Sequence, residues 1–183
     1  MKAMMRIDSQ GMLAGGEFIP SPNCDDRPSG PIELLVVHNI SLPPGEFGGD
    51  GVLRLFTNTL DATAHPYYQA IAGIRVSAHF LVCRDGRIIQ FVPCTKRAWH
   101  AGESCWQGRT RCNDFSLGIE LEGSDAVPFT DAQYESLNRL TMSLRAAYPI
   151  CGIAGHSDIA PQRKTDPGPC FDWARYLTGL CQA

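Results

Sequence analysis

Residues 32–38, IELLVVH, decide how this chain folds, because they form an apolar run that a single glutamate interrupts near its start. A run of this length, rich in leucine and β-branched valine, predicts a strand that is buried on both faces. The prolines and glycines of residues 40–51, ISLPPGEFGGDG, predict that the backbone then enters an irregular loop. His38 is therefore expected where a buried strand ends and a loop begins.

Two further stretches predict strands that extend this sheet. Residues 77–93, SAHFLVCRDGRIIQFVP, place an Asp-Gly turn between two apolar runs, which is typical of an antiparallel hairpin. In residues 115–123, FSLGIELEG, apolar side chains alternate with Glu120 and Glu122. This period of two predicts a strand whose carboxylates share one face and point away from the core.

Helices are predicted in the second half of the chain. Thr130 followed by Gln133 resembles a capping box, and apolar residues then recur at helical spacing until Pro149. Residues 150–154 resemble a short strand and residues 172–180 a closing helix. This order of elements predicts an α/β fold in which a mixed central β-sheet is flanked by helices.

Length and composition favour a single domain. The chain has 183 residues, of which 44% are hydrophobic and 19% charged, as in ordinary globular proteins. Residues 1–18 are expected to form an N-terminal leader whose order the sequence does not decide, and residues 19–183 the domain, which begins with an extended segment at 19–31. No signal peptide and no apolar run of about 18 residues is found, so a soluble, cytoplasmic protein without a membrane partner is expected.

Charge and cysteine usage narrow the function classes. The net charge of -3 provides no basic field for a phosphate backbone, which argues against a nucleic-acid partner. Eight cysteines are present without a C-x-x-C pair, so thiolate zinc fingers and thioredoxin-like centres have little support. In a reducing cytosol these thiols are expected to stay free of structural disulfides.

Two of the five histidines stand where sites are usually built. His38 ends one predicted strand, and His156 follows another. Lys164 and Asp166 lie in the loop after His156, one residue apart, so in an extended segment they project to the same side. Two imidazoles and a carboxylate suit Zn²⁺ with a fourth position left for water. Spacing alone does not decide whether this metal site exists, because no H-E-x-x-H motif is present.

Four ordered strings of the sequence are distinctive: LLVVHNISLPPGEFGG at 34–49, HPYYQAIAGIRVSAHFLVCRDGRIIQFVP at 65–93, KRAWHAGESCWQGRTRCNDFSLGIELEG at 96–123, and GHSDIAPQRKTDPGPCFDWARY at 155–176. Through these strings the chain resembles the AmpD-type N-acetylmuramyl-L-alanine amidases of bacterial cell-wall recycling, from about residue 19 to about residue 178. The wider superfamily includes phage amidases and peptidoglycan-recognition proteins, some of which bind without cutting.

The resemblance implies a zinc amidase domain over residues 19–183 with one Zn²⁺ per chain. It implies that His38, His156 and Asp166 are the zinc ligands. It also implies that Glu120 is the general base and that Lys164 stabilises the oxyanion, which are roles that a carboxylate and an ammonium can fill. Without the resemblance, Glu122 would be an equal candidate for the base, and Lys164 would be read as a solvated loop residue.

The implied substrate is a 1,6-anhydro-N-acetylmuramyl peptide, cut between the lactyl group and L-alanine by a monomeric enzyme. Four further positions match residues that bind this substrate: Asn39, Arg75, Trp99 and Arg111. Trp99 could equally be a core residue. Among the other histidines, His100 is expected to line the cleft, His79 to be structural or to orient a ligand or a loop, and His65 to lie outside the ligand set.

Three alternatives remain open at the level of sequence. An amidase that acts on intact cell wall outside the cytoplasm would use the same ligands. A peptidoglycan-binding module without catalysis is disfavoured, because every ligand and Glu120 are present. A cysteine hydrolase would need a thiol within hydrogen-bond reach of a base, and no cysteine has such neighbours in the sequence.

Overall fold

A computed structural model describes residues 5–181. Its elements follow in the order β1 (Glu17–Phe18), β2 (Cys24–Asp26), β3 (Leu34–Ile40), α1 (Gly51–Phe56), α2 (Pro66–Ala70), β4 (Phe80–Val82), β5 (Ile88–Gln90), β6 (Lys96–Ala98), β7 (Cys105–Trp106), β8 (Arg109–Thr110), β9 (Ser116–Glu122), α3 (Asp131–Ala147), β10 (Gly152–Gly155), α4 (His156–Ile159) and α5 (Trp173–Cys181). A 3-10 turn at Cys112–Asp114 precedes β9.

The central sheet has six strands in the order β1-β5-β4-β9-β3-β10. Only β4 and β5 pair antiparallel, and all other neighbours are parallel. Gly86, with a φ of +84°, supplies the turn between β4 and β5. The predicted hairpin and the predicted mixed α/β sheet are therefore confirmed. Two pairs of short strands, β2 with β6 and β7 with β8, lie outside this sheet.

Strand β3 is buried on both faces, as its apolar run predicts. Its side chains divide between two clusters of the core: Leu35 and Val37 on one face, Leu34 and Val36 on the other. The strand runs to Ile40, two residues beyond its predicted end at His38, because Asn39 and Ile40 still pair with β9. His38 therefore lies inside the sheet.

Helix α3 confirms the predicted capping box. Thr130 Oγ1 accepts a hydrogen bond from the backbone N–H of Gln133, and Gln133 Oε1 accepts one from the N–H of Thr130, both at 3.1 Å. The apolar face of α3 joins α5 in the core cluster that contains Leu117, Ile119 and Leu121 of β9. These two helices cover one face of the sheet, and α1 and α4 cover parts of the opposite face, on which His38 and Glu120 lie.

The β9 carboxylates share the face opposite the apolar set, as the alternation predicts, but this face is covered and not exposed to solvent. Every residue of β9 is buried, and both Glu120 and Glu122 expose only 8% of their surface. The covering groups come from loops: the backbone N–H of Gly48 donates to Glu122, and the ring of His100 lies against Gly118. Alternation alone could not predict this cover, because it depends on loops elsewhere in the chain.

The N-terminal residues also contact the sheet. Leu13 is buried in the core, and the side chain of Gln90 accepts from the N–H of Leu13 and donates to the carbonyl of Gly11, each at 2.8 Å. Within the predicted extended segment at 19–31, Cys24–Asp26 forms β2, which pairs with β6. Residues 1–4 of the predicted leader lie outside the described residues.

All eight cysteines are free thiols. Within the part of the chain that the structure describes, no helix combines the length and the apolar character needed to cross a bilayer.

Candidate active site

The carboxyl ends of the parallel strands bring three distant side chains together. His38 is on β3, His156 directly follows β10, and β3 and β10 pair so that Gly155 lies beside Val37. Asp166 reaches the same point from the loop after α4. His38 Nδ1 lies 3.0 Å from His156 Nδ1 and 3.0 Å from Asp166 Oδ2, and His156 Nδ1 lies 3.1 Å from Asp166 Oδ2.

These three atoms fit a metal ion better than hydrogen bonds among themselves. His156 Nε2 lies 3.1 Å from the carbonyl oxygen of Ala101, which can only accept, so the ring proton is on Nε2 and Nδ1 presents a lone pair. Asp166 Oδ2 is also an acceptor, and two acceptors 3.1 Å apart repel each other unless a cation or a proton lies between them. Burial lowers the pKa of His38 to about 4, which favours the neutral imidazole that metals bind. The set can therefore hold a divalent ion.

Glu120 lies beside this set because of the sheet register. It pairs with His38 across β9 and β3, so the two side chains leave the same face from backbones about 4.8 Å apart. Its Oε2 is buried without a hydrogen-bond partner among the described residues. Burial and then the Asp166 carboxylate raise the pKa of Glu120 well above its usual value, while the Lys164 ammonium lowers it. Glu120 is therefore an unengaged carboxylate close to the donor atoms.

Glu122 is excluded from the same role by its contacts. One of its oxygens accepts from the backbone N–H of Gly48, and the other accepts from the N–H of Arg84 at 2.9 Å. Glu122 thus ties the loop after β3 to the β4–β5 hairpin. The structure separates two carboxylates that the sequence pattern leaves equivalent.

Lys164 lines one cleft of about 520 Å³ together with the three proposed metal ligands and the nearby carboxylate: His38, His156, Asp166 and Glu120. Among residues 5–181, no ion pair within 4.0 Å involves the Lys164 ammonium. It therefore remains available for a negative charge that develops in the cleft. None of the described cysteines lines the cleft, which leaves the cysteine-hydrolase alternative without a nucleophile there.

The predicted substrate residues do not all meet in this cleft. Asn39 lines it, and its Nδ2 donates to Asp125 Oδ1 at 2.7 Å and to the carbonyl of Pro167 at 3.0 Å. The other three lie outside the lining: Arg75 is exposed, Arg111 is exposed and pairs with Asp114 at 3.2 Å, and Trp99 is half-buried beside Asp25. Their part in binding stays a prediction.

The remaining histidines take the places that the sequence predicts. His100 lines the cleft, and its buried ring contacts His38. His79 is fully buried and its Nδ1 accepts from the N–H of Gly118, which is a structural role. His65 caps α2 by accepting from the N–H of Tyr67 and is no ligand. The cleft also contains Tyr67, which the sequence did not single out because an exposed tyrosine carries no motif.

Comparison with known proteins agrees with this geometry. Residues 28–169 match the family described as N-acetylmuramoyl-L-alanine amidase. The 1,6-anhydro-N-acetylmuramyl-L-alanine amidase AmpD of Escherichia coli K12 is 59% identical over 170 residues, which cover 91% of this chain and 93% of that protein. A crystal structure of a selenomethionine AmpD derivative has a TM-score of 0.91 and 58% identity over 94% of this chain and 98% of its own.

A more distant relative has been solved with substrate. The Escherichia coli N-acetylmuramyl-L-alanine amidase AmiD, in complex with anhydro-N-acetylmuramic acid-L-Ala-D-gamma-Glu-L-Lys, has a TM-score of 0.60 and 35% identity. The match covers 81% of this chain and 57% of that one.

The fold and the cleft define a hydrolase, since a metal donor set, a free carboxylate and an ammonium together suit attack by water on a carbonyl. The chain belongs to the family of N-acetylmuramoyl-L-alanine amidases, as the resemblance predicts. It is an enzyme that cleaves an amide bond.

Proposed function

We propose that this chain is a zinc-dependent amidase of cytoplasmic peptidoglycan recycling. Its substrate is a muropeptide, and it cuts the amide between 1,6-anhydro-N-acetylmuramic acid and L-alanine. The observation that carries this proposal is 59% identity, over more than nine tenths of both chains, with an amidase named for that bond. The amidase of intact cell wall remains the competing function, and the experiment below separates the two.

Zinc is proposed as the metal because its preferred ligands are those that the site offers. His38 and His156 provide nitrogen and Asp166 provides oxygen, a three-ligand set that leaves a position open for catalysis. Zn²⁺, when bound, supplies the Lewis acidity that makes water a nucleophile near neutral pH and polarises the substrate carbonyl.

Glu120 acts as the general base and then as the general acid. It accepts a proton from the attacking water as the water oxygen bonds to the lactyl carbonyl carbon, and it returns the proton to the L-alanine nitrogen as the carbon–nitrogen bond breaks. The proton balance is complete, and the products are a carboxylic acid and a free amine. Because Glu120 Oε2 has no partner among the described residues, no hydrogen bond must be broken before it acts.

Lys164 stabilises the charge that develops on the carbonyl oxygen. An ammonium that is already in place needs little reorganisation free energy when the oxyanion forms. Removal of such a donor typically lowers turnover by about 10²–10³-fold. Lys164 and Glu120 line the same cleft, so one cation and one base can serve a single tetrahedral centre.

Substrate binding is proposed to use the rim of the cleft as well as its floor. Asn39 has Oδ1 available for a substrate donor, because both of its side-chain hydrogen bonds within residues 5–181 are made by Nδ2. Arg75 and Arg111 are exposed and suit the peptide carboxylates, which guanidinium groups bind through paired hydrogen bonds. Trp99 offers an apolar ring face to the sugar. All four remain part of the proposal.

Metal analysis tests the zinc assignment. Purified protein is expected to contain about one zinc per chain, to lose turnover in a chelator and to regain it with added zinc. His38→Ala should lose the metal, whereas His65→Asn, which keeps a cap for α2, should retain it. Cleavage that resists chelators and stops with a thiol-blocking reagent would contradict the proposal.

Substrate choice is tested with a defined anhydromuropeptide and an intact sacculus in parallel. Release of peptide from the first alone supports recycling, and comparable release from the sacculus supports the cell-wall amidase. Fractionation of cells that express the protein, with periplasmic and cytoplasmic marker enzymes, tests the proposed compartment.

A further inference from the structure

The ring of His100 connects a proposed zinc ligand to the interior of the protein. His100 Nδ1 lies 3.0 Å from His38 Nε2, and His100 Nε2 lies 3.2 Å from Ser116 Oγ. Ser116 Oγ in turn donates to the carbonyl of Cys112 at 2.6 Å. These side chains are buried, so each of their polar atoms must find its hydrogen-bond partner within the protein.

The carbonyl of Cys112, at the end of this series of hydrogen bonds, decides which group donates in each of them. The Cys112 carbonyl can only accept, so the single hydroxyl hydrogen of Ser116 is used there. Ser116 Oγ must then accept from His100 Nε2, which leaves a lone pair on Nδ1 of the neutral His100 ring. His38 Nε2 must therefore donate to His100 Nδ1, and His38 Nδ1 presents its lone pair to the metal site.

Ala101, the next residue, determines in the same way which ring nitrogen of His156 carries the proton. The carbonyl oxygen of Ala101 accepts from His156 Nε2 at 3.1 Å, so His156 Nδ1 also faces the site as a lone pair. Arg163 Nη2 donates to the same carbonyl at 2.7 Å and to the carbonyl of Glu103 at 2.8 Å. Two consecutive residues, 100 and 101, thus contact the outer nitrogens of both proposed ligands.

Asn113 holds these two residues in place. Its Oδ1 accepts from the backbone N–H of His100 at 3.2 Å and from that of Ala101 at 2.8 Å. Gly118 provides the space for the ring, because a Cβ at this position would lie 2.5 Å from His100 Cγ. Residues 98–104 form no long strand or helix, so these contacts, not secondary structure, set the position of the segment.

We propose that the His100–Ala101 segment, clamped by Asn113, fixes the tautomers of both histidine ligands so that their Nδ1 lone pairs face the metal before it binds. His100 and Asn113 are then positioning residues. This inference rests on the proposed zinc site. Groups that orient ligand histidines in this way typically contribute about 10–100-fold to metal affinity.

The direct test uses the wild-type protein without metal. Imidazole ¹⁵N chemical shifts and long-range ¹H–¹⁵N couplings identify which ring nitrogen carries the proton. At neutral pH, His38 and His156 are expected to be protonated at Nε2 alone. A metal-free protein in which His38 carries its proton on Nδ1, or exchanges between both forms, would overturn the proposal.

A matched pair of variants at Asn113 tests the clamp. Asn113→Ala removes the acceptor of two N–H groups, and the zinc dissociation constant, measured by competition with a chelating dye, is expected to rise about 10–100-fold. Asn113→Asp keeps Oδ1 and should bind zinc within about threefold of wild type, an effect of about 0.6 kcal/mol. Equal zinc affinity in both variants and wild type would refute the clamp.

A third variant separates positioning from folding. His100→Leu removes the acceptor of His38 Nε2–H and is expected to give mixed His38 tautomers together with weaker zinc binding. If His100→Leu fails to fold, the Asn113 pair and the wild-type spectra still decide the question. A wild type that binds no zinc would refute the proposed function, whereas the metal-free tautomers are measured independently of that outcome.

Discussion

Replacement of Glu120 by glutamine separates what this residue does for catalysis from what it does to stability. The amide has nearly the same shape as the carboxylate, so packing in the cleft is conserved. It cannot accept a proton from water at neutral pH. We expect Glu120→Gln to retain zinc, because the ligands are untouched, and to lose about 10²–10⁴-fold in turnover, or about 3–5 kcal/mol of transition-state stabilisation.

The same change is expected to stabilise the metal-free protein. Glu120 exposes 8% of its surface, and its Oε2 has no partner among the described residues. Glutamine is still a polar group at this position, so the gain comes only from removing the buried charge, for which we take about 1–3 kcal/mol. For a chain of this size, each kcal/mol corresponds to about 2–4 °C in Tm, so a gain of about 2–12 °C is expected above neutral pH.

The pH dependence of this gain has a definite sign. Burial and the Asp166 carboxylate raise the pKa of Glu120 in the folded state above its unfolded value. Such a group favours the folded state below the unfolded pKa and loses this contribution as pH rises through the folded pKa. The Tm advantage of Glu120→Gln should therefore be large at about pH 8 and small at about pH 4.

Three measurements complete the test of Glu120. They are steady-state turnover of an anhydromuropeptide, zinc content, and thermal unfolding of the chelator-treated protein at both pH values. Turnover within about threefold of wild type would refute the assignment of Glu120 as the base. A Tm difference that is absent at both pH values would refute the idea that its buried charge is uncompensated.

Other positions give separate predictions. Lys164→Met keeps the length of the side chain without its charge, and kcat measurements should show a loss of about 10²–10³-fold with unchanged zinc content. Glu122→Gln places a donor against the N–H of Gly48 or Arg84, and thermal unfolding should show a loss of about 1–3 kcal/mol. Asn39→Asp removes the donor to the carbonyl of Pro167, which adjoins the proposed ligand Asp166, and sets a second carboxylate beside Asp125. Displacement of this loop should weaken zinc binding in a chelator competition, and unchanged binding would contradict a role of Asn39 in positioning Asp166.

The elements that the sequence predicts correctly are those with a local pattern. The apolar run of β3, the Asp-Gly turn after β4 and the capping box of α3 each depend on residues that are close in sequence. Residues 96–116 lack such a pattern, and neither β6 nor the β7–β8 pair was predicted. Their positions depend on contacts between distant residues, such as the bond between His100 and His38, which are 62 residues apart.

The candidate site shows the same division. Predicted strand ends brought His38 and His156 to one edge of the sheet, although β3 continues two residues beyond His38, and the family resemblance selected Glu120. Alternation along β9 could not separate Glu120 from Glu122, since both share one face. The difference depends on which carboxylate meets the backbone N–H groups of the neighbouring loop and hairpin. Backbone donors have no signature in a sequence, so only the folded chain distinguishes the two.

The catalytic arrangement depends finally on strand register. His38 pairs with Glu120, and the Leu117, Ile119 and Leu121 side chains on the other face of β9 pack under α3. Because side chains alternate, a slip of one residue between β3 and β9 would turn Glu120 toward α3 and place an apolar residue beside His38. Burial of a carboxylate under α3 without a partner would be strongly unfavourable. The apolar face of β9, far from the chemistry, therefore holds the base beside the metal ligands.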